Sequence, residues 1–333
     1  MATIGAKVSE IARGIHQIFL PLPMRPSIVN VYLVDCSGDW ALIDTGTNGQ
    51  ESLSTLEGAL EQLGIKFEQL GAIIMTHHHI DHCGASAELQ RLSGARLYIH
   101  ALELDRITRT IAFAGSAGPT EQSREFFRRH GFPVDRYAAQ ALRPTWLDPR
   151  LYQPSVRPDQ LMADGDIIPV GKRRFEVVWT PGHAPGHCVL YLPEEKVMIV
   201  GDHLLPKITP HVGLYPGSVT NPLGDFIASL EKVQQFDVAL VAPAHGGVFH
   251  DHRHRARQLI EHHRYREAEM LDLIRKRPMN AYEVAQQIFG SQERPTFHVL
   301  AATFETLAHL EYARLEGRAR AYERDGQVVY QCS

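Results

Sequence analysis

The sequence predicts an α+β fold, with a large domain over residues 1–249 and a small, mostly helical domain over residues 250–333. Through the first part of the chain, short apolar segments of strand length alternate with segments of helical composition. After residue 250 the composition changes to charged helical segments that end in a predicted hairpin. A chain of 333 residues with 44% hydrophobic residues can bury a large core and has room for about two domains.

The first elements are three predicted strands and one helix. The apolar segments are Ile15–Leu20, Asn30–Val34 and Trp40–Ile43, and residues 51–64 have helical composition. A loop interrupted by prolines, residues 21–26, separates the first two strands. The opening half is therefore predicted to be a sheet with a helix connected to it.

Three histidines and one aspartate that could bind metal occur within residues 77–82, in a segment that reads His-His-His-Ile-Asp-His. This segment lies between an apolar stretch of strand length, Gly71–Thr76, and a predicted turn into a helix. Imidazoles and carboxylates are metal ligands. The segment therefore predicts a metal site at a strand-to-helix junction.

The spacing divides these ligands between two ions. In extended chain, side chains at i and i+2 share a face, so His77 and His79 can hold one ion. The turn can present Asp81 and His82 to a second ion. His78 then points away from both.

Three later segments place a polar side chain next to a strand-like stretch. A loop rich in glycine and proline contains His183 and His187, and such a loop can aim an imidazole inward. One apolar stretch ends at Asp202, where a carboxylate could bridge two cations, and another ends just before His245. Each of these signals is weak alone, but their order along the chain is informative.

In this order the motifs resemble those of the metallo-β-lactamase-fold hydrolase superfamily. The motifs are Asp44-Thr45-Gly46, the His-x-His-x-Asp-His segment, Pro181-Gly182-His183, Gly201-Asp202 and Ala244-His245. The resemblance, closest to glyoxalase II and lactonase cores, implies an αββα four-layer sandwich. In it, two mixed sheets pack face to face and a dinuclear metal site lies at one rim.

The resemblance also implies a role for each residue of the site. The metal ligands would be His77, His79 and His183 for one ion, Asp81, His82 and His245 for the other, and Asp202 between them. Asp44 would lie behind the ligands, where a carboxylate fixes the tautomer and angle of a ligating imidazole. His187 would support the site or pack its loop rather than ligate.

This ligand set indicates hydrolysis. Without thiolates it suits Zn(II), and its carboxylates also leave Fe or Mn open. Two ions about 3.5–4 Å apart can share a water, lower its pKa to about 7 and present hydroxide to a carbonyl or phosphorus. Asp81 or Asp202, the expected catalytic carboxylates, could orient the nucleophile or carry its proton to the leaving group. We expect the substrate to be a small-molecule ester, thioester or lactone.

Departures from the family pattern narrow the substrate. Asp202 counts against hydrolysis of β-lactam antibiotics, and the sequence after it lacks the features of glutathione-thioester hydrolases. Leu205 replaces a tyrosine found in many acyl-homoserine lactonases, which weakens the assignment as a lactonase.

Two other functions stay open: a phosphodiesterase or RNA nuclease of the same fold, and a non-catalytic protein that retains metal and binds a partner. The candidate substrate contacts are His203, His211 and Tyr215, with loop packing as their alternative role.

Residues 101–160 exceed the family's minimal spacing and are predicted to form a helical insert. Residues 120–129 and 133–142 have helical composition, and residues 144–158 form a proline-rich connector. We expect this insert to be a substrate lid. Its aromatic residues could line an apolar pocket or anchor the insert to the sandwich: Phe113, Phe126, Phe127, Tyr137, Trp146 and Tyr152.

The C-terminal segments predict a winged-helix-like module. Helices are expected over residues 250–276, 280–289 and 299–315, followed by a hairpin that turns at Asp325-Gly326. Residues 251–333 contain 13 Lys and Arg against 12 Asp and Glu, a net charge of +1, which argues against nucleic-acid binding. A structural cap or a homodimer contact is expected instead. The histidines of residues 250–254 and 262–263, interleaved with arginines, are predicted to lie on a solvated face.

The remaining composition predicts a cytoplasmic protein without a membrane segment. No apolar stretch approaches the roughly 18 residues that a membrane span requires, and the N-terminus has no signal-peptide pattern. The four cysteines form no C-x-x-C pair and are predicted to be reduced thiols. The formal net charge is -4.

Overall fold

Two mixed β-sheets form the centre of the fold in a computed structural model that describes residues 7–116, 118–136, 148–290 and 295–333. The first sheet has seven strands in chain order, antiparallel over its first four strands and parallel from the fourth to the seventh. Its strands are β1 (Val8–Ala12), β2 (Ile15–Pro21), β3 (Ile28–Asp35), β4 (Trp40–Ile43), β5 (Leu70–Ile74), β6 (Arg96–His100) and β7 (Gln160–Met162).

The second sheet has five strands in the order β12-β11-β10-β9-β8. They are β8 (Ile167–Val170), β9 (Arg173–Trp179), β10 (Cys188–Leu192), β11 (Val197–Gly201) and β12 (Leu240–Pro243). The pair β11 and β12 is parallel and the other pairs are antiparallel. Every residue of β10 and β11 is buried, as expected for strands that are covered on both faces.

Helices cover the outer face of each sheet. Before residue 250 the structure describes α1 (Gln50–Gln62), α2 (Ile80–Cys83), α3 (Ser86–Ser93), α4 (Ala101–Ala114), α5 (Glu121–Arg129), which packs on the C-terminal segment instead, and α6 (Pro222–Val233). Leu56 of α1 and Leu89 of α3 pack in a core against the first sheet, and Phe226 of α6 packs in a core against the second. Ile74 and Phe175, one from each sheet, share the core between the sheets. The predicted αββα sandwich is therefore confirmed.

The C-terminal segment consists of α7 (His252–Lys276), α8 (Ala281–Phe289), α9 (Thr296–Leu315) and the antiparallel hairpin of β13 (Ala319–Arg324) and β14 (Gln327–Cys332). The predicted helices and the turn at Asp325-Gly326 agree with these bounds. Leu259 of α7 and Ala308 of α9 belong to the same core as α6. The C-terminal helices thus pack directly on the second sheet's helical layer.

The described part of the insert packs on this C-terminal segment and on the core of the first sheet. The helix predicted at residues 120–129 is α5, and its Phe127 lies in one core with Phe304 of α9. Phe126 packs against that core, whereas Phe113 and Tyr152 pack in the core of the first sheet. These four aromatic residues therefore anchor the insert, which is one of the two roles that the sequence allowed.

Two other expectations for the insert lie partly outside the described residues. Of the predicted helix over residues 133–142, the structure describes a short 3-10 turn at Val134–Arg136. Tyr137, Trp146 and the first residues of the proline-rich connector are outside the described ranges. Within those ranges, no helix is both long enough and apolar enough to cross a membrane.

The prediction that the later histidines lie on a solvated face is wrong for His252 and His263, which are 2% and 1% exposed. Both fall on the stripe of α7 that also buries Ala256, Leu259 and Ile260. This stripe follows the helical period, and packing against α6 and α9 covers it. The arginines between the histidines occupy the other faces of the helix.

Burial of His263 predicts a pH-dependent stability. Its Nδ1–H donates to His309 Nε2 over 3.1 Å, and burial lowers the pKa of His263 to about 3. Below the ordinary pKa of about 6.5, the unfolded chain binds a proton that the folded chain does not bind until about pH 3. Lowering the pH from 7 to 5 is therefore expected to reduce the free energy of unfolding by about 2 kcal/mol through this histidine.

The substitution His263→Gln keeps a hydrogen-bond donor but removes the titration. We expect urea unfolding at pH 7 and pH 5 to show a loss of stability that is about 2 kcal/mol smaller in this variant than in the wild type. His254→Gln, at an exposed position of the same helix, is the matched control and should keep the wild-type loss. An identical pH dependence in His263→Gln and the wild type would contradict the prediction.

Candidate metal centre

The ends of four strands and one hairpin loop meet at the same rim of the sandwich. Parallel strands place their carboxyl ends at one edge, so the residues after β4 and β5 meet, as do those after β11 and β12. The two sheets are joined here by hydrogen bonds from Cys188 N to Thr76 O over 3.0 Å and from Asn30 N to Ala244 O over 2.7 Å. The sequence motifs are thereby brought to one place.

Three imidazoles form the first group of candidate ligands. His77 Nε2 and His183 Nε2 each lie 2.9 Å from His79 Nδ1. His77 and His79 come from the segment after β5, and His183 comes from the loop between β9 and β10. These three nitrogens and a carboxylate oxygen of Asp202 lie within 4.8 Å of one another.

The second group consists of Asp81, His82 and His245, whose ligand atoms also lie within 4.8 Å of one another. Asp81 Oδ2 is 3.2 Å from His245 Nε2 and 3.7 Å from His82 Nε2. Asp81 and His82 lie in the short helix α2, and His245 follows β12.

Asp202 lies between the two groups. Its Oδ2 is 3.6 Å from both His183 Nε2 and His82 Nε2, and its Oδ1 is 3.5 Å from His245 Nε2. The Oδ2 atom of Asp202 therefore faces one histidine of each group, and its Oδ1 atom faces the other histidine of the second group. This is the arrangement expected of a ligand shared by two ions. All seven predicted ligands are thus close together.

Hydrogen bonds on the far side of the rings fix the direction of four imidazoles. His183 Nδ1–H donates to the carbonyl of His211 over 2.8 Å, and His245 Nδ1–H donates to the carbonyl of Ile28 over 2.9 Å. Because carbonyls only accept, a proton lies on the outer nitrogen of each ring, and the inner nitrogen is the one that a metal ion could bind in the neutral imidazole. A metal requires that tautomer of its histidine ligands.

Asp44 fixes the other two rings, as the sequence suggested. Its Oδ2 accepts from His82 Nδ1–H over 2.8 Å and from the hydroxyl of Thr76 over 2.9 Å. That hydroxyl lies 3.0 Å from His77 Nδ1, so it donates to Asp44 and accepts from His77. One buried carboxylate thus orients a histidine of each group.

The donor set fits two divalent cations. His77 and His183 both direct an unprotonated nitrogen at His79 Nδ1, which could donate a hydrogen bond to only one of them. His82 Nε2 and Asp202 Oδ1 are buried and have no hydrogen-bond partner among the described residues. Buried polar atoms normally have partners, and a bound cation would satisfy all of these atoms together.

The electrostatics agree with this donor set. Burial lowers the pKa of His77, His79 and His183, which keeps these imidazoles neutral. Burial opposes the charge of His82 as well, but the carboxylates of Asp81, Asp202 and Asp44 outweigh it and raise the pKa of His82 above its ordinary value. Three carboxylates around one imidazole attract positive charge, and metal binding would replace the proton that they otherwise hold there.

His187 supports the site from behind, which is one of the two roles the sequence allowed. Its Nδ1 is 2.9 Å from Thr180 Oγ1, and its Nε2 accepts from the backbone N–H of Asp202 over 3.2 Å. The ring is fully buried. Gly201 has a left-handed φ of +48°, and a Cβ there would lie 2.7 Å from His187 Nε2, so glycine is required beside this contact.

Of the three residues expected to contact substrate, His203 is in the wrong place to do so. Its side chain is fully buried, with its ring 5.3 Å from that of Phe226 in the core of the second sheet. The first residue after Asp202 turns inward because β11 continues into a tight turn that closes with a hydrogen bond from His203 N to Val200 O. A substrate at the rim would not reach this ring.

His211 and Tyr215 lie next to the first group. His211 Nε2 is 2.8 Å from the hydroxyl of Tyr215, and its Nδ1 is 3.2 Å from Glu305 Oε2 of α9. The side chain of His211 is 35% exposed. Its carbonyl holds His183, so this segment belongs to the site whether or not it contacts substrate.

Sequence reasoning missed Thr76, Glu103 and Tyr152, which hold the ligand segments in place. Thr76 acts through its contacts with Asp44 and His77, and the other two contact His78. A signal existed for Glu103: it lies four residues before Ile107 on the buried stripe of α4, where an ionisable residue is unusual. The contacts of Thr76 with Asp44 and of Tyr152 with His78 join segments far apart in the chain and leave no such signal.

One protein family and several known proteins are similar to most of this chain. The family model described as "Metallo-beta-lactamase superfamily" matches residues 24–245. A Bacillus subtilis (strain 168) protein named "Probable metallo-hydrolase YqjP" is 28% identical over 330 residues, which are 94% of this chain and 96% of the relative. The "Acyl-coenzyme A thioesterase MBLAC2" of Gallus gallus is 25% identical over 235 residues, which are 66% of this chain and 73% of that protein.

Two solved structures are similar over nearly the whole chain. A metallo-beta-lactamase family protein from Thermus thermophilus is 33% identical with a TM-score of 0.81, covering 97% of this chain and 100% of that one. A beta-lactamase domain protein from Burkholderia ambifaria is 26% identical with a TM-score of 0.85, covering 100% of this chain and 96% of that one. The similarity therefore includes the insert and the C-terminal segment.

Proposed function

Because the chain belongs to the metallo-beta-lactamase superfamily, we propose that it is a dinuclear metal-dependent hydrolase of a small-molecule ester, thioester or lactone. The observation that carries this proposal is the position of Asp202 between two groups of candidate ligands. A carboxylate in that position suits two ions that act on one bond. The named relatives include a probable metallo-hydrolase and an acyl-coenzyme A thioesterase, which supports a hydrolase and favours a thioester among the three substrates.

The ligand groups define which residues would hold the metals. His77, His79 and His183 would hold one ion, Asp81, His82 and His245 the other, and Asp202 both. Two divalent ions, in the first place zinc with iron or manganese as compatible alternatives, would supply a water of lowered pKa and polarise the scissile carbonyl. The chain's own contribution is to hold the donor atoms rigidly in place before substrate arrives.

Asp81 and Asp202 are our candidates for the catalytic carboxylates. An oxygen of Asp81 or Asp202 that is not bound to a metal ion could accept a hydrogen bond from the attacking water. Burial opposes the charge of Asp202, but His245, His82 and His183 hold its pKa well below the usual range. It is therefore ionised at neutral pH and able to orient that water, and the proton can pass to the leaving group through either carboxylate.

We place the substrate against the segment that contains His211 and Tyr215. The ring of His211 is partly exposed beside the first group, and its partners Tyr215 and Glu305 hold it in one orientation. Such a side chain can contact the polar part of an ester or thioester. Because α9 packs against this segment, with Leu214 N donating to Phe304 O over 3.0 Å, we propose that the winged-helix-like C-terminal segment supports the site rather than binding nucleic acid.

The test is the initial rate of hydrolysis on a matched panel of acyl-coenzyme A thioesters, lactones, aryl esters and bis(p-nitrophenyl) phosphate. We expect turnover of a carbonyl substrate by protein that contains two metals per chain. Turnover of the phosphodiester alone would replace the proposal with a phosphodiesterase or nuclease. Full metal content without turnover of any substrate would leave a binding protein.

A further inference from the structure

Glu103 is a fully buried carboxylate that the chemistry above does not use. It lies near the start of α4, in the insert, and its side chain is 0% exposed. Its Oε2 accepts from the backbone N–H of His78 over 2.7 Å and lies 2.5 Å from His78 Nδ1. Its Oε1 accepts from the backbone N–H of Gly186 over 2.5 Å. Burial opposes its charge, but His78 and these N–H groups hold the pKa of Glu103 below its ordinary value.

The contacts with His78 fix the chain between two candidate ligands. His78 stands between His77 and His79, and its N–H belongs to the peptide group that links it to His77. Its carbonyl, in the peptide group that leads to His79, accepts from the hydroxyl of Tyr152 over 2.9 Å. Both peptide groups between the two ligands are thus held by residues of the insert. His78, which is not a candidate ligand, therefore holds the segment that carries His77 and His79.

The contact with Gly186 fixes the second ligand loop. Gly186 lies three residues after His183, in the loop between β9 and β10. A Cβ at this position would lie 2.7 Å from His100 Nδ1 and 2.9 Å from Glu103 Oε1. The glycine therefore allows the backbone to approach the carboxylate, and its φ is not in the left-handed region.

One side chain therefore joins two loops that supply ligands to the same ion. Because His77 and His79 come from one loop and His183 from the other, the relative position of the loops sets the separation of their nitrogens. We propose that Glu103 is a positioning residue of the metal centre. By holding His78 and Gly186 together, it fixes the distances between the imidazole nitrogens of the first ligand group. This inference rests on the proposed function only in requiring that the first group binds metal.

The test is the affinity of the full-length protein for zinc, measured by competition with a chromophoric chelator. Glu103→Gln keeps the size of the side chain but offers a single acceptor oxygen to three donors. We expect its zinc affinity to fall by about 10- to 100-fold, the usual effect of losing a group that holds metal ligands. Asp105→Asn is the matched control, because Asp105 lies on the same helix with a side chain that is 62% exposed, and its affinity should stay within about twofold of wild type.

A second variant keeps the carboxylate and moves it. Gly186→Ala places a methyl group against Glu103 and should weaken zinc binding in the same direction. If Glu103→Gln does not fold, Gly186→Ala decides the question. Wild-type zinc affinity in a folded Glu103→Gln or Gly186→Ala protein would overturn the proposal. Because the measurement uses no substrate, a wild type that binds zinc tightly but hydrolyses nothing would refute the proposed function and leave this inference standing.

Discussion

Substitution of Asp202 by asparagine should lower kcat by about 10³-fold on the substrate that the panel identifies. The carboxylate lies between the two ligand groups, and an amide offers one neutral oxygen where the carboxylate offers two charged ones. The metal ions contribute several kcal/mol of transition-state stabilisation. Removal of about 4 kcal/mol of this transition-state stabilisation by the substitution would lower the rate by about three powers of ten.

The same variant should lose metal. Metal content measured on the purified protein should fall from two ions per chain toward one. Asp237→Asn is the matched control, because it removes the same charge from an aspartate whose side chain is 73% exposed and paired with Lys196. That control should keep wild-type rate and metal content, since an exposed ion pair contributes about 0–1 kcal/mol. A hydrolysis rate within tenfold of wild type in Asp202→Asn would show that this carboxylate is not part of the reaction centre.

Substitution of Asp44 by asparagine should reduce metal affinity and kcat/KM by about 10- to 100-fold, although Asp44 is not a candidate ligand. An amide can still accept from the N–H of Thr76, but its NH₂ cannot accept from His82 or from the Thr76 hydroxyl. Both His82 and, through Thr76, His77 would lose their fixed direction. Asparagine suits the experiment because Asp44 has a φ of +60°, which asparagine tolerates better than alanine.

Two further variants separate this effect from a general loss of stability. Thr76→Val removes the hydroxyl between Asp44 and His77 and should weaken metal binding by a smaller factor, because His82 keeps its partner. Asp39→Asn changes an exposed aspartate at the other end of β4 and should behave as wild type. If Asp44→Asn binds zinc as tightly as Asp39→Asn, the role given to this carboxylate is wrong.

The metal ligands could be predicted from the sequence because their spacing is local. His77 and His79 share a face of extended chain, and Asp81 and His82 follow in the next turn, so four ligands lie within six residues. Of the other three, Asp202 and His245 follow strands whose parallel pairing brings their ends together, and His183 lies in the hairpin loop between two antiparallel strands. The strands and helices with strong apolar periodicity were predictable for the same reason.

Some side-chain environments could not be predicted from the sequence, because they depend on which helix or loop packs over each surface. His263 was predicted to be solvated because it lies among arginines, yet α6 and α9 cover that stripe of α7. His203 follows a ligand in the chain, but a tight turn directs its ring into the core. The role of Glu103 requires knowing that α4 lies over both ligand loops. Each of these depends on contacts between residues far apart in the chain.

Anomalous diffraction from a crystal of the metal-loaded protein would locate the metal ions and their ligands. We expect two peaks about 3.5–4 Å apart. One peak should be bound by His77, His79 and His183, the other by Asp81, His82 and His245, with Asp202 contacting both. A single peak in protein saturated with metal, or peaks bound by other residues, would contradict the dinuclear centre.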